Sequence, residues 1–198
     1  MGCLKDKSDL DKENQNQEIK KVEESPDEKI VTKKPYLTRV RTNAEEFDLD
    51  SYKLALLKLH NKLREKHQSP ELVENEELND LASIYAESLV NGKNRNHQFI
   101  IYKGEFVGEN IIISESKKPE DTFKKILDEI KDYDFNINKF AKKAGHFTQL
   151  IWKDTTDIGC GFWADKVNSK YYTVLLYYPA GNILGKFSEN ILNEKIME

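Results

Sequence analysis

Twenty of the first 45 residues are charged, ten Lys/Arg against ten Asp/Glu, and Tyr36 is the only aromatic among them. Such a stretch carries too little apolar surface to offset the entropy of ordering its backbone, so a fold has to be built from the residues C-terminal to it. The expectation is a disordered tail over 1–45 and a single domain over 46–198. A domain of about 150 residues is large enough to bury a real core.

Within that domain the apolar spacing changes period. Tyr52, Ala55, Leu56, Leu59 and Leu63 fall on one face of a helix, with Lys53, Lys58, Lys62 and Arg64 mostly off it. Leu78, Leu81, Ala82, Tyr85 and Leu89 form a second stripe, with Asn75 placed to cap it and Gly92 to end it. Pro119 suits the first turn of a third helix in which Phe123, Leu127 and Ile130 face inward and Glu129 flanks them. The runs 109–114, 158–164 and 171–178 are short and rich in β-branched or aromatic residues, as strands are. Residues 165–170, with Asn168 and Ser169, read as the hairpin joining the last two. Helices and strands mixed in this way, without internal repeats, predict an α+β fold.

Two runs carry the candidate chemistry. Gly145-His146-Phe147-Thr148-Gln149-Leu150-Ile151-Trp152 places Phe147, Leu150 and Ile151 at helical spacing, so His146 reads either as a satisfied core histidine or as a ligand. Tyr177-Tyr178-Pro179-Ala180-Gly181-Asn182 reads as a strand end and turn, with Gly181 supplying backbone freedom. Trp152 is expected to pack its helix onto the sheet. Phe162 and Trp163 alternate along a strand and should face opposite sides of it.

The first run resembles the GHFTQ(L/I)xW signature of the CAP superfamily, the cysteine-rich secretory, antigen 5 and pathogenesis-related 1 proteins, and the second resembles its YxPxGN signature. The resemblance covers residues 50–192 and implies a three-layer α-β-α sandwich. It also implies a shared cleft of His97, Glu109, Glu129 and His146, with zinc on His97 and His146. Neutral imidazole is a preferred zinc ligand and a carboxylate can complete the shell or orient a histidine. The four residues are 12, 20 and 17 apart in order, with no HExxH spacing to fix their geometry in advance. If zinc activated a water there, Glu109 and Glu129 would be the acid–base pair of a metallohydrolase. Two histidines are fewer than the three protein ligands usual at a catalytic zinc, so a binding module is the preferred reading and no catalytic residue is assigned. His60 and His67 match no position of the cleft and are expected to be surface or packing residues of the first helix.

Cysteine usage bears on the compartment. There are two, Cys3 in the tail and Cys160 between two glycines of a strand, where a buried, inert thiol is expected. Secreted members of the family are usually disulfide-linked, with a cysteine at the position of Leu175. The chain has no Asn-X-Ser/Thr acceptor, no signal-like apolar start and no apolar run long enough to span a bilayer. Met1-Gly2-Cys3 offers Gly2 for myristoylation and Cys3 for palmitoylation, the two-signal arrangement that anchors stably, although Asp6 replaces the preferred Ser or Thr. A disulfide-poor domain with such a start resembles the Golgi-associated pathogenesis-related branch of the family. An intracellular peripheral membrane protein is expected, on the cytoplasmic face of the Golgi or plasma membrane, with a soluble cytoplasmic protein as the alternative.

Charge and resemblance together bound the partners. The tail is neutral, so the formal charge of −4 belongs to 46–198, and an acidic domain is a poor nucleic-acid binder. Within the tail, 29–41 holds five cations and no anion, which fits either a solvated linker or contact with anionic lipid headgroups. The expected function is binding of anionic lipid, sterol or protein partners through the cleft. A metal-dependent protease and a scaffold with a vestigial cleft stand as alternatives, and homodimer formation is implied by the resemblance.

Overall fold

A computed structural model describes residues 47–92 and 100–195. The expected tail, with Gly2 and Cys3, and one residue expected in the cleft, His97, lie outside them.

Helix α1 (Leu49–Lys66) opens at Asp48, whose carboxylate accepts from the Ser51 amide at 3.0 Å and from its hydroxyl at 2.6 Å. Its buried face is Tyr52, Leu56, His60, Leu63 and Arg64. This corrects two expectations. Ala55 and Leu59 are only half-buried, while Arg64 is fully enclosed; His60, and His67 just past the helix, are enclosed as packing residues, one of the two places expected for them. Strand β1 (Val73–Glu74) leads into α2 (Glu76–Val90), capped by Asn75 through Leu78 N and ended at Gly92 with φ +67°, as the spacing predicts. A small hairpin, β2 (Ile101–Tyr102) and β3 (Glu105–Phe106), turns through Lys103 and Gly104, both at positive φ. Then come β4 (Gly108–Ser114) and α3 (Pro119–Leu127), with Pro119 in its first turn.

Helix α3 stops two residues before Glu129. The chain tightens into a 3-10 turn over Asp128–Asp132, and the fully buried apolar residue of α3 is Ile126, with Leu127 and Ile130 only packed against the core. A second 3-10 turn, Lys142–Ala144, runs straight into α4 (Gly145–Leu150). Strands β5 (Asp157–Asp165) and β6 (Lys170–Tyr178) form the expected hairpin, followed by a short α5 (Phe187–Asn190). At the hairpin tip Asp165 accepts from the amides of Val167 and Asn168 and from the Asn168 side chain, bonds that hold its carboxyl below the usual carboxylate range.

The sheet runs β1-β5-β6-β4, antiparallel except for the β1–β5 pair. Alternation along β6 sorts the core into two halves. Leu175 and Tyr177 face α1, α3 and α4, while Val174 and Leu176 face α2. This is the three-layer α-β-α sandwich. On the α2 side β5 presents Gly159 and Gly161, and a Cβ there would overlap the backbone of Leu78 and of Ala82. Two glycines thus let a helix backbone rest directly on a strand. Cys160 between them points the other way, across the ladder from Leu175, and burial pushes its thiol up to about 12. Phe162 stacks on Phe47 and Tyr171 on one face, and Trp163 packs with the α2 cluster on the other.

Candidate functional site

The two signature runs are two halves of one clasp. Asn182 Nδ2 donates to the carbonyl of Gly145 at 2.9 Å, and the Thr148 hydroxyl donates to Asn182 Oδ1 at 2.6 Å. Gln149 Oε1 accepts from the amide of Gly181 at 2.8 Å. Gly181 is small for reasons of contact. A Cβ on it would meet Trp152 Cγ at 2.7 Å, and the positive φ of this turn belongs to Asn182 at 58°. The sequence reading of Gly181 as a source of backbone freedom is therefore corrected. Trp152 is buried edge-on against Phe187 of α5, 5.0 Å between ring centres, so it ties α4 to the chain's last helix.

Helix α4 has no local side-chain cap, and Glu129, seventeen residues earlier, replaces one. Its Oε2 accepts from the amides of His146 at 3.0 Å and Phe147 at 3.1 Å. Its Oε1 lies 2.6 Å from His146 Nδ1. In a neutral ring, an Nδ1–H facing the carboxylate donates to it and leaves the lone pair on Nε2. The imidazole is 36% exposed and the Glu129 side chain 20% exposed, so the pair sits at the surface of the fold and can be reached from outside.

Behind this pair runs a buried chain whose direction is set by its ends. His60 Nδ1 is 2.7 Å from the carbonyl of Leu56, which can only accept, so Nδ1 carries the proton. His60 Nε2 must then accept from the Tyr177 hydroxyl at 3.0 Å, whose oxygen accepts from Asn110 Nδ2 at 3.1 Å. Asn110 Nδ2 also donates to the carbonyl of His146 at 3.0 Å. Burial lowers the His60 pKa to about 4 and raises that of Tyr177, so every member of the chain is neutral at pH 7. At the other end of α4, Arg64 donates to the carbonyls of Pro70, Leu150, Trp152 and Thr155 at 2.7 to 2.8 Å. Burial lowers its pKa to about 10, which leaves it charged. The six residues of α4 are thus held by an anion at their N-terminus and a cation at their C-terminus, the favourable sense for the helix dipole.

Of the four residues expected in the cleft, the structure pairs Glu129 with His146. Glu109 is half-buried on β4, opposite Leu176 and next to Asn110, and strand alternation turns it to the face opposite Asn110. Among the described residues no group of three or more His, Cys, Asp or Glu is placed to hold a metal. His146 by itself fits a zinc ligand: a carboxylate fixes its tautomer and Nε2 is left to bind. Sequence reasoning missed His60, Arg64, Asn110 and Tyr177 as supports of the site. Their one legible mark is that Leu56, His60 and Arg64 succeed one another at four-residue intervals. His67 is also enclosed, 2.8 Å from the carbonyl of Leu192 and stacked on Phe135.

Among the described residues no helix is long and apolar enough to cross a membrane. The model of the cysteine-rich secretory protein family, CAP, matches residues 57–177. The human Golgi-associated plant pathogenesis-related protein 1 is 35% identical over 146 residues, covering 71% of this chain and 92% of that protein. The solved structure of Schistosoma mansoni venom allergen-like protein 4 superposes with a TM-score of 0.58 at 25% identity, over 73% of this chain and 95% of its own. NaASP2, solved with Zn2+, shares the fold with a TM-score of 0.56 at 22% identity, over 74% and 87% of the two chains. The clasped signature runs and these likenesses agree: the chain belongs to the cysteine-rich secretory protein family, CAP.

Proposed function

We propose that this protein is a non-enzymatic binding module on a cytoplasmic membrane face, taking lipid or a protein partner through the cleft bordered by His146 and Glu129. The observation that carries this reading is the likeness to the human protein, named Golgi-associated, over nearly its whole length. The Met1-Gly2-Cys3 start supports attachment through acyl chains on Gly2 and Cys3. The site supports binding over turnover, because its described groups are locked to each other and to the backbone.

Glu109, on the other face of edge strand β4 from Asn110, lines the cleft from across that edge in this reading, and zinc would be held by His97 and His146. The tautomer that Glu129 imposes supports it, as does the zinc in the structure of the fold neighbour NaASP2. When bound, the ion would supply a Lewis-acidic anchor for an anionic ligand group. Glu129 orients His146 for that task.

The test is membrane fractionation with metabolic acyl labelling of wild type, Gly2→Ala and Cys3→Ser. Labelled, membrane-bound wild type and soluble, unlabelled Gly2→Ala is the expected result. Soluble, unlabelled wild type would remove the anchor. Metal-dependent hydrolysis lost in both His97→Ala and His146→Ala would replace the binding module with a hydrolase.

A further inference from the structure

Several large apolar side chains are exposed in the two segments that meet at the start of α4. Phe140 is 48% exposed, Ile183 45% and Leu184 78%. These segments are joined in space. Phe140 lies 3.9 Å from where a Cβ on Gly145 would sit and 6.1 Å, ring to ring, from Phe187. Asn182 is bonded to the Gly145 carbonyl, and Lys186 N closes a turn on Ile183 O.

Charge respects the same boundary. Residues 135–153 and 179–188 hold five lysines and no Asp or Glu, leaving 16 cations against 25 carboxylates on the rest of 46–198. Across the sheet, residues 68–92, which include α2, hold six carboxylates and no cation. Lys139, Lys142 and Lys143 are exposed beside Phe140. Apolar tips among cations on one side match an anionic interface, and the acidic 68–92 segment on the other would be repelled by it.

We propose that the domain lies on anionic bilayers with this face, Phe140, Ile183 and Leu184 entering the headgroup region and Lys139, Lys142 and Lys143 meeting lipid phosphates. The proposal rests on the membrane assignment above and adds the orientation: the His146–Glu129 pair, which shares the start of α4, borders the lipid.

The experiment uses the full chain carrying Gly2→Ala/Cys3→Ser, so neither acyl site contributes, with phosphatidylcholine vesicles containing or lacking phosphatidylserine. On serine-containing vesicles, brominated lipid is expected to quench the added fluorescence of Leu184→Trp and to leave Ile84→Trp, on α2, unquenched. Lys139→Glu/Lys142→Glu/Lys143→Glu is expected to weaken binding by at least about tenfold, since each surface lysine contributes to attraction by phosphatidylserine. Leu184→Ser, at the most exposed of the three apolar tips, should bind more weakly with an unchanged melting temperature. Absence of binding to serine-containing vesicles, an unquenched Leu184→Trp on bound protein, or a less than about twofold effect of charge reversal would overturn the proposal. Acyl attachment is read independently by fractionation of the wild type, so the two readings fail separately.

Discussion

Replacing Tyr177 with Phe keeps a ring in the core and removes one oxygen from the chain that holds α4 to the sheet. Tyr177 is fully buried, and its hydroxyl serves two partners that are themselves 0% and 1% exposed, His60 and Asn110. Neither partner is open to solvent. Each buried polar group left unsatisfied costs about 1–3 kcal/mol, so the variant should lose roughly 2–4 kcal/mol of stability. For a domain of this size 1 kcal/mol shifts the melting temperature by about 2–4 °C, which puts the expected loss at roughly 5–15 °C. Thermal unfolding followed by circular dichroism reads it directly, with Tyr171→Phe, a partly exposed ring of β6, as the control expected to stay within about 0.5 kcal/mol. A Tyr177→Phe protein that melts with the wild type would refute the hydrogen-bond chain as a source of stability.

The core carries two further expectations. Burial holds His60 down at about 4, against about 6.5 for an unfolded histidine, so the unfolded chain binds the extra proton first. That stability is present in full above pH 6.5 and is lost as pH falls toward 4. The loss is on the order of 3 kcal/mol for this residue, and the lowered pKa of His67 adds in the same direction. Urea midpoints measured between pH 7 and 4.5 should fall more steeply for wild type than for His60→Gln, and equal slopes would contradict the assignment. Gly159→Ala should be severely destabilising, by about 3 kcal/mol or more, because the new methyl group meets the backbone of Leu78 rather than a flexible side chain. An unchanged melting temperature there would mean that α2 does not rest on β5.

Much of this architecture is written locally. The α2 stripe, its Asn75 cap and its Gly92 stop, the Pro119 start of α3 and the 165–170 turn need only neighbours within a few residues, and all are found where the spacing puts them. The site is legible to a lesser degree. The pairing of Glu129 with His146 is implied by family resemblance alone, since a carboxylate seventeen residues before a helix has no local reason to cap it. His60 and Arg64 defeat the apolar count on α1 because their partners, Tyr177 and the carbonyls of Leu150, Trp152 and Thr155, lie 86 to 117 residues away. A polar side chain is welcome in a core only if such partners exist, and one sequence does not display them. The β2–β3 hairpin does leave a mark, the Lys103-Gly104 turn, but its strands of two residues each are too short to show alternation.

The proposed zinc binding at this site requires Glu129 to hold His146 in the one tautomer that leaves Nε2 free. Nitrogen NMR of the histidine side chains, recorded during a zinc titration of the full chain, addresses that tautomer without an intermediary. The expected spectrum has a protonated Nδ1 and a bare Nε2 at His146 without zinc, a large shift of Nε2 on adding the metal, and loss of the fixed tautomer in Glu129→Gln. A proton on Nε2 in the free protein, or a His146 ring indifferent to zinc, would contradict it.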